Sequence, residues 1–139
     1  MKLIEMYEYN QNGYAKLMNY KEWRVAMLNF SDELLLENIN YVEAHNETDE
    51  VFVLLEGSCK MILMEFDNKN LKEIEVVELE KNKIYNVPKD IHHSHVLSKD
   101  AKVLIIEQED TNDENSNRVY LTEEIKKILI EKMGRFINV

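Results

Sequence analysis

Cysteine, proline and glycine are nearly missing from this chain of 139 residues, which has one cysteine, one proline and three glycines. Cys59 has no partner for an internal disulfide, so a hydrophobic core must hold the fold, and a chain of this size buries enough surface to build one. No apolar stretch approaches the roughly 20 residues that a membrane-spanning helix needs. No charged-then-apolar leader opens the chain either, and the expectation is a cytoplasmic protein with no membrane partner. Cations are scarce: 17 Lys and Arg stand against 27 Asp and Glu, a formal net charge of -10 at pH 7. The lysines are scattered among acids, so no patch is available to release counterions from a phosphate backbone, which argues against nucleic acid as a partner.

What is present is β-type periodicity. From residue 14 to 108, short segments rich in Val, Ile, Leu, Tyr and Phe alternate with polar turn clusters, as in an all-β sandwich or barrel. The predicted strands are 14–18, 23–30, 34–44, 51–55, 60–66, 74–79, 83–87, 92–97 and 102–107. Asp67-Asn68-Lys69-Asn70 reads as a hairpin loop, because Asn and Asp tolerate left-handed backbone. Gly57 marks a tight turn. Pro88 ends a strand, since it lacks a donor and disfavours helix at its predecessor. Trp23 alternates with Val25 and is expected in the core, and Met61 and Met64 are expected to fill the barrel interior and a sheet interface.

Beyond Gln108 the composition turns polar, and residues 109–117 read as an exposed acidic linker without the spaced ligands of a calcium hand. A helical period begins at Thr122, a capping residue followed by Glu123 and Glu124. It carries Ile125, Ile128, Leu129 and Met133 on one face and is expected to stop at Gly134. That apolar stripe must cover either the β domain or a second subunit. The organisation expected is an N-terminal segment 1–13, one β domain 14–108, and linker plus helix 109–139.

Two segments carry the chemistry. In EAHNETDEVFVLLEG, His45 is followed after four residues by Glu50 and after six more by Gly57; in VPKDIHHSH, Pro88 precedes His93. Residues two apart on a strand share a face, so Glu43 lies beside His45, and His95 beside His93, while His92 faces the other way. Two imidazoles and a carboxylate are donors that divalent iron, manganese, zinc or nickel accept.

These segments resemble the two motifs of the cupin superfamily. The first cupin motif runs Gly, five residues, His, one residue, His, three or four residues, Glu, six residues, Gly. His45, Glu50 and Gly57 match it, with Glu43 in place of the earlier His and Glu37 in place of the leading Gly. The second runs Gly, five residues, Pro, one residue, Gly, two residues, His, three residues, Asn. Pro88 and His93 match, while Asn82, Asp90 and Leu97 stand in for the rest. The two lost glycines are mild departures, because Asn and Asp adopt a turn glycine's conformation most readily.

The resemblance implies a double-stranded β-helix, or jelly-roll, barrel with a C-terminal helix. It also implies a divalent metal (Fe, Mn, Zn or Ni) held by His45, Glu50 and His93, with Glu43 as a fourth ligand or a base. His95 would contact substrate or move protons. The small molecule bound would be sugar-like or a carboxylate, and the chain would form a homodimer, as cupins of this size commonly do. The alternative is a metal-free, non-catalytic ligand-binding cupin, and fold alone does not choose between them.

Overall fold

The computed structural model describes residues 3–137, so the first two and last two residues of the outer segments lie outside it. Among the described residues, ten strands form two five-stranded antiparallel sheets. The first sheet is ordered β1 (Tyr14–Tyr20), β2 (Trp23–Asn29), β9 (Lys102–Gln108), β4 (Glu50–Glu56), β7 (Tyr85–Val87). The second is ordered β10 (Ser116–Tyr120), β3 (Tyr41–His45), β8 (His92–Leu97), β5 (Cys59–Asp67), β6 (Asn70–Glu78). This is the jelly-roll expected from the motifs.

Strand parity builds two cores. Residues that point between the sheets, among them Ala26, Leu28, Phe52, Leu54, Met61, Val103 and Ile105, form the barrel interior. Each large side chain buried there stabilises the fold by about 1.5–3 kcal/mol. The alternate residues of the second sheet, Val42, Ile62, Met64 and Ile74, form the other core under helix α1 (Glu123–Ile137). Ile125, Leu129 and Met133 of the helix complete it. Three of the four stripe residues therefore cover the chain's own sheet, while Ile128 is 38% exposed, and the stripe no longer requires a second subunit.

Several local expectations change. Residues 34–44 are not one strand: 3-10 turns at Asp32–Leu34 and Leu36–Asn38 precede β3. The leucine run there packs on both cores from irregular backbone, and an apolar run without alternation does not distinguish the two. The polar stretch after Gln108 is not all linker, because Ser116–Tyr120 pairs with β3. It is an edge strand held by backbone hydrogen bonds more than by burial, which is why it shows no apolar period. The helix passes through Gly134, where an added Cβ would meet nothing within 4 Å. A glycine ends a helix only where the chain turns left-handed, and this one does not. Trp23 is 45% exposed, beside Tyr20. The inward parity of β2 belongs instead to Arg24, Ala26 and Leu28.

The turns behave as their residues dictate. Asn68 and Lys69 both have positive φ, at 49° and 78°, as a two-residue hairpin requires. Asn82 and Asp90, which stand where the second cupin motif has glycine, have φ of 68° and 72°. Gly57 has φ of 70°, and a Cβ there would lie 2.6 Å from the Ala101 Cα. Nothing larger than glycine fits that turn.

Candidate metal centre

The inward stripes end in polar residues at one mouth of the barrel. Along β2 and β9, Leu28 faces Val103, Ala26 faces Ile105 and Arg24 faces Glu107. On the other side of β9, Val51 pairs with Ile106, so Glu50 comes next to Glu107. In the opposite sheet, His93 pairs with Glu43 of β3 on one side and Leu63 of β5 on the other. The sheets thus bring His45, Glu50 and His93 together, and one donor atom from each lies within 4.8 Å of the others.

Each imidazole is oriented from behind. His93 Nδ1 hydrogen-bonds the Ile91 carbonyl at 3.1 Å, and His45 Nδ1 lies 2.8 Å from Ser116 Oγ. Ser116 donates its own proton to the Asn112 carbonyl, so its lone pair receives the His45 Nδ1–H. Both rings therefore turn Nε2 to the site, at 3.2 Å and 2.9 Å from the same oxygen, Glu50 Oε1. With Nδ1 protonated and Nε2 bare, the three inward atoms would all be acceptors, an arrangement that a proton on Nε2 or a metal ion relieves. A divalent metal fits that donor set, and the backbone and hydroxyl partners supply the outer orientation that metal-binding histidines need.

Electrostatics agree. Burial pushes the Glu50 carboxyl up, but hydrogen bonds and charge from His45 and His93 outweigh it and hold it well below the usual carboxylate range. Burial pushes His45 down, yet Glu50, Glu107 and Glu43 together raise it above the ordinary imidazole value. Phe52, fully buried, packs edge-on beneath His93, with ring centroids 5.8 Å apart, and also supports His95. This keeps the floor of the site dry.

Loops stitch the two motifs to each other. Asp90 N–H donates to the His45 carbonyl at 2.8 Å, and Asn46 Nδ2 donates to Asp90 Oδ1. Asp49 accepts from the Lys89 amide and from Asn86 Nδ2. The left-handed turn at Asp90 therefore locks the end of β3 to the start of β8.

The other residues singled out from the sequence lie around this centre. Glu43 is beside His45, as parity requires, but its carboxylate is on the Nδ1 edge of the ring, 3.9 Å away, with its second oxygen gripped by Arg118 at 2.7 Å. It does not join the three converging donors. His95 lines the cleft with Nδ1 buried and unpartnered, and burial, reinforced by His93, pushes its pKa down to about 4. His92 is on the opposite face against Phe66.

Sequence reasoning missed a second polar cluster. Arg24 donates to Glu107 Oε1 through Nε at 3.2 Å and Nη2 at 2.7 Å, and to the Glu109 and Thr111 carbonyls. Tyr14 adds its hydroxyl to the same oxygen at 2.9 Å. Glu107 Oε2 is buried, has no partner, and lies 4.0 Å from His45 Nε2. Burial and the nearby Glu50 carboxylate raise the Glu107 pKa, against the pull of Arg24. The available signal was parity: Arg24 continues the inward stripe of Ala26 and Leu28, and Glu107 that of Val103 and Ile105. Above both clusters opens a cleft of about 690 Å³.

A jelly-roll barrel with paired histidines and a glutamate at its mouth defines a cupin. Within the cupins, the chain belongs to the 3-hydroxyanthranilic acid dioxygenase family, which it matches over residues 38–139. Among solved structures it is similar to a cupin-2 domain protein from Shewanella frigidimarina, with 19% identity over 70% of this chain and 82% of that one and a TM-score of 0.51. It is also similar to an RmlC-like cupin from Methanocaldococcus jannaschii, with 11% identity over 77% and 92% and a TM-score of 0.55. A third is the Streptomyces nucleoside dehydratase Pac13, with 10% identity over 84% and 86% and a TM-score of 0.54. At these identities the likeness is one of fold. No curated protein sequence matches the chain.

Proposed function

We propose that this chain is a metal-dependent enzyme of the barrel mouth, with a divalent ion held by His45, Glu50 and His93 and a small oxygen- or nitrogen-bearing substrate in the cleft above. The observation that carries the reading is the convergence of two Nε2 lone pairs and a carboxylate oxygen, each imidazole tied at Nδ1. When bound, the ion supplies a Lewis acid, and as iron a centre for the oxygen chemistry in the family's name. The chain's own residues do the rest. Glu50 neutralises part of the ion's charge, Phe52 keeps water from beneath it, and Glu107 Oε2 accepts a hydrogen bond or proton from a substrate O–H or N–H. His95 offers a neutral ring nitrogen deeper in the cleft. Glu43, drawn to Arg118, is assigned to positioning His45 instead of ligation.

Metal analysis of the purified protein, then of apo protein reconstituted in turn with iron, manganese, zinc and nickel, tests this directly. About one ion per chain is expected in the wild type, and His93→Ala should weaken binding by about 100-fold or more, since a nitrogen donor costs more than an outer partner. His92→Ala should leave binding unchanged. A wild-type protein that retains none of the four metals sinks the reading.

A further inference from the structure

The cleft has a charge pattern that bears on its substrate. Three carboxylates stand in its walls, Glu43, Glu50 and Glu107, and two more, Glu33 and Asp113, stand at its exposed rim. Only two permanent cations line it among the described residues, Arg24 and Arg118, and no lysine does. Five carboxylates against two guanidiniums leave a surplus of three negative charges, and a divalent ion removes two. Counted formally, the bound state keeps one negative charge.

Both guanidiniums are already paired with carboxylates of the chain. Arg24 is inside the barrel with Glu107 and two backbone carbonyls as acceptors. Arg118 has Glu43 at 2.7 Å and Asp113 at 3.5 Å, and its guanidinium lies 4.5 Å above the centre of the Tyr41 ring. An incoming carboxylate would compete with Glu107 at Arg24 and with Glu43 at Arg118. The open hydrogen-bonding position points the same way. Glu107 is 6% exposed and its Oε2 has no partner, and a buried acceptor left unpaired costs about 1–3 kcal/mol until a donor arrives. The apolar part of the wall, Leu28, Leu34, Ile39 and Ile105, suits a ring or a sugar face.

We propose that this cleft selects neutral or cationic molecules bearing hydroxyl or amine groups and turns carboxylates away, so that its substrate differs in charge from the acid in the family's name. This rests on the barrel mouth being the substrate site, as proposed above. Without the ion the same five carboxylates face the same two guanidiniums, offset only by protons taken up on the cleft's histidines.

A matched pair separates the two classes: 2-aminophenol and 3-hydroxyanthranilate differ by one carboxylate. Their affinities would be measured by anaerobic titration calorimetry on zinc-loaded protein and on chelator-treated protein, with metal content read on the same samples. The neutral ligand is expected to bind tighter by about tenfold or more in both forms, as like-charge juxtaposition in a partly desolvated cleft requires. Glu43→Gln releases Arg118 and should narrow the gap, while Arg118→Gln removes the cation and should widen it. Two variants with opposite expected shifts separate charge from misfolding. Equal or tighter binding of the acid by wild type overturns the proposal. So does a gap that Glu43→Gln leaves unchanged, or failure of both ligands to bind in either form. Protein that takes up no zinc yet still prefers 2-aminophenol sinks the metal reading and upholds this one.

Discussion

Replacing Arg24 with methionine should be among the most damaging single changes at the barrel mouth. The substitution removes four hydrogen bonds, two to Glu107 Oε1 and one each to the Glu109 and Thr111 carbonyls. It leaves Glu107, whose side chain is 3% exposed, with Tyr14 as its remaining donor. Breaking a buried ion pair from one side costs about 3–5 kcal/mol, because the surviving charge keeps its desolvation penalty and loses its partner. For a chain of this length that corresponds to a fall in Tm of roughly 10–20 °C. Replacing both members, as Arg24→Met with Glu107→Met, removes the orphaned charge and should return stability to within about 1–2 kcal/mol of wild type. The cycle is read by urea denaturation followed by circular dichroism. A strong favourable coupling, about 2 kcal/mol or more, is expected between the two sites. If Arg24→Met alone costs under about 1 kcal/mol, or if the double variant is as unstable as the sum of the singles, the cluster is not the buried pair described. A stable double variant that no longer binds ligand would mean that the pair is kept for function at little benefit to the fold.

Three further outcomes test the frame around the site. Gly57→Ala forces a Cβ to 2.6 Å from Ala101 Cα at a φ of 70°, and left-handed strain plus overpacking should cost about 2–4 kcal/mol in urea denaturation. A cost near zero would show that the turn can relax. Asn82→Ala and Asp90→Ala, at φ of 68° and 72°, should each cost about 1 kcal/mol, whereas the glycine variants should be near neutral or stabilising; equal effects of Ala and Gly would refute the backbone argument. Cys59 is buried, and burial, opposed by Lys60, pushes its thiol up to about 12. Native protein should therefore resist iodoacetamide at pH 8 and react only on unfolding, and rapid native labelling would contradict its position in the core.

The fold was legible because its signals are local and periodic. The alternation of apolar runs and polar turns located most of the strands, although on β2 it pointed to Trp23 and Val25 where Ala26 and Leu28 face inward, and His45, Glu50 and His93 were found through spacing and a family likeness. The substitution of glycine by Asn82 and Asp90 could be judged mild from backbone preferences alone, and both residues take the left-handed turn. What stayed hidden depends on contacts between distant segments. Ser116 lay in a stretch too polar to look like a strand, yet it sets the tautomer of His45 from 71 residues away. Arg118 pairs with Glu43 across 75 residues, and nothing in the local sequence of either foretells the other. Glu107 and Arg24 were visible as charged ends of apolar stripes, but a charge at a strand end ordinarily marks the exit to solvent.

That ambiguity explains why the polar groups collect where they do. In the register of β2, β9 and β4, the row Leu28, Val103 and Leu54 is apolar, the next row of Ala26, Ile105 and Phe52 is apolar too, and the last begins with Arg24 and Glu107. The first two rows supply burial, which stabilises without direction. The last row can carry costly desolvated charge because the layers beneath it already secure the barrel and exclude water from below. Each carboxylate there is held by something specific: Glu50 by two histidines, Glu107 by Arg24 and Tyr14, Glu43 by Arg118. Glu107 Oε2 is buried without a partner, and it lies 4.0 Å from His45 Nε2. A buried group left unsatisfied is where a bound molecule gains the most, because it removes a penalty that the folded chain alone does not.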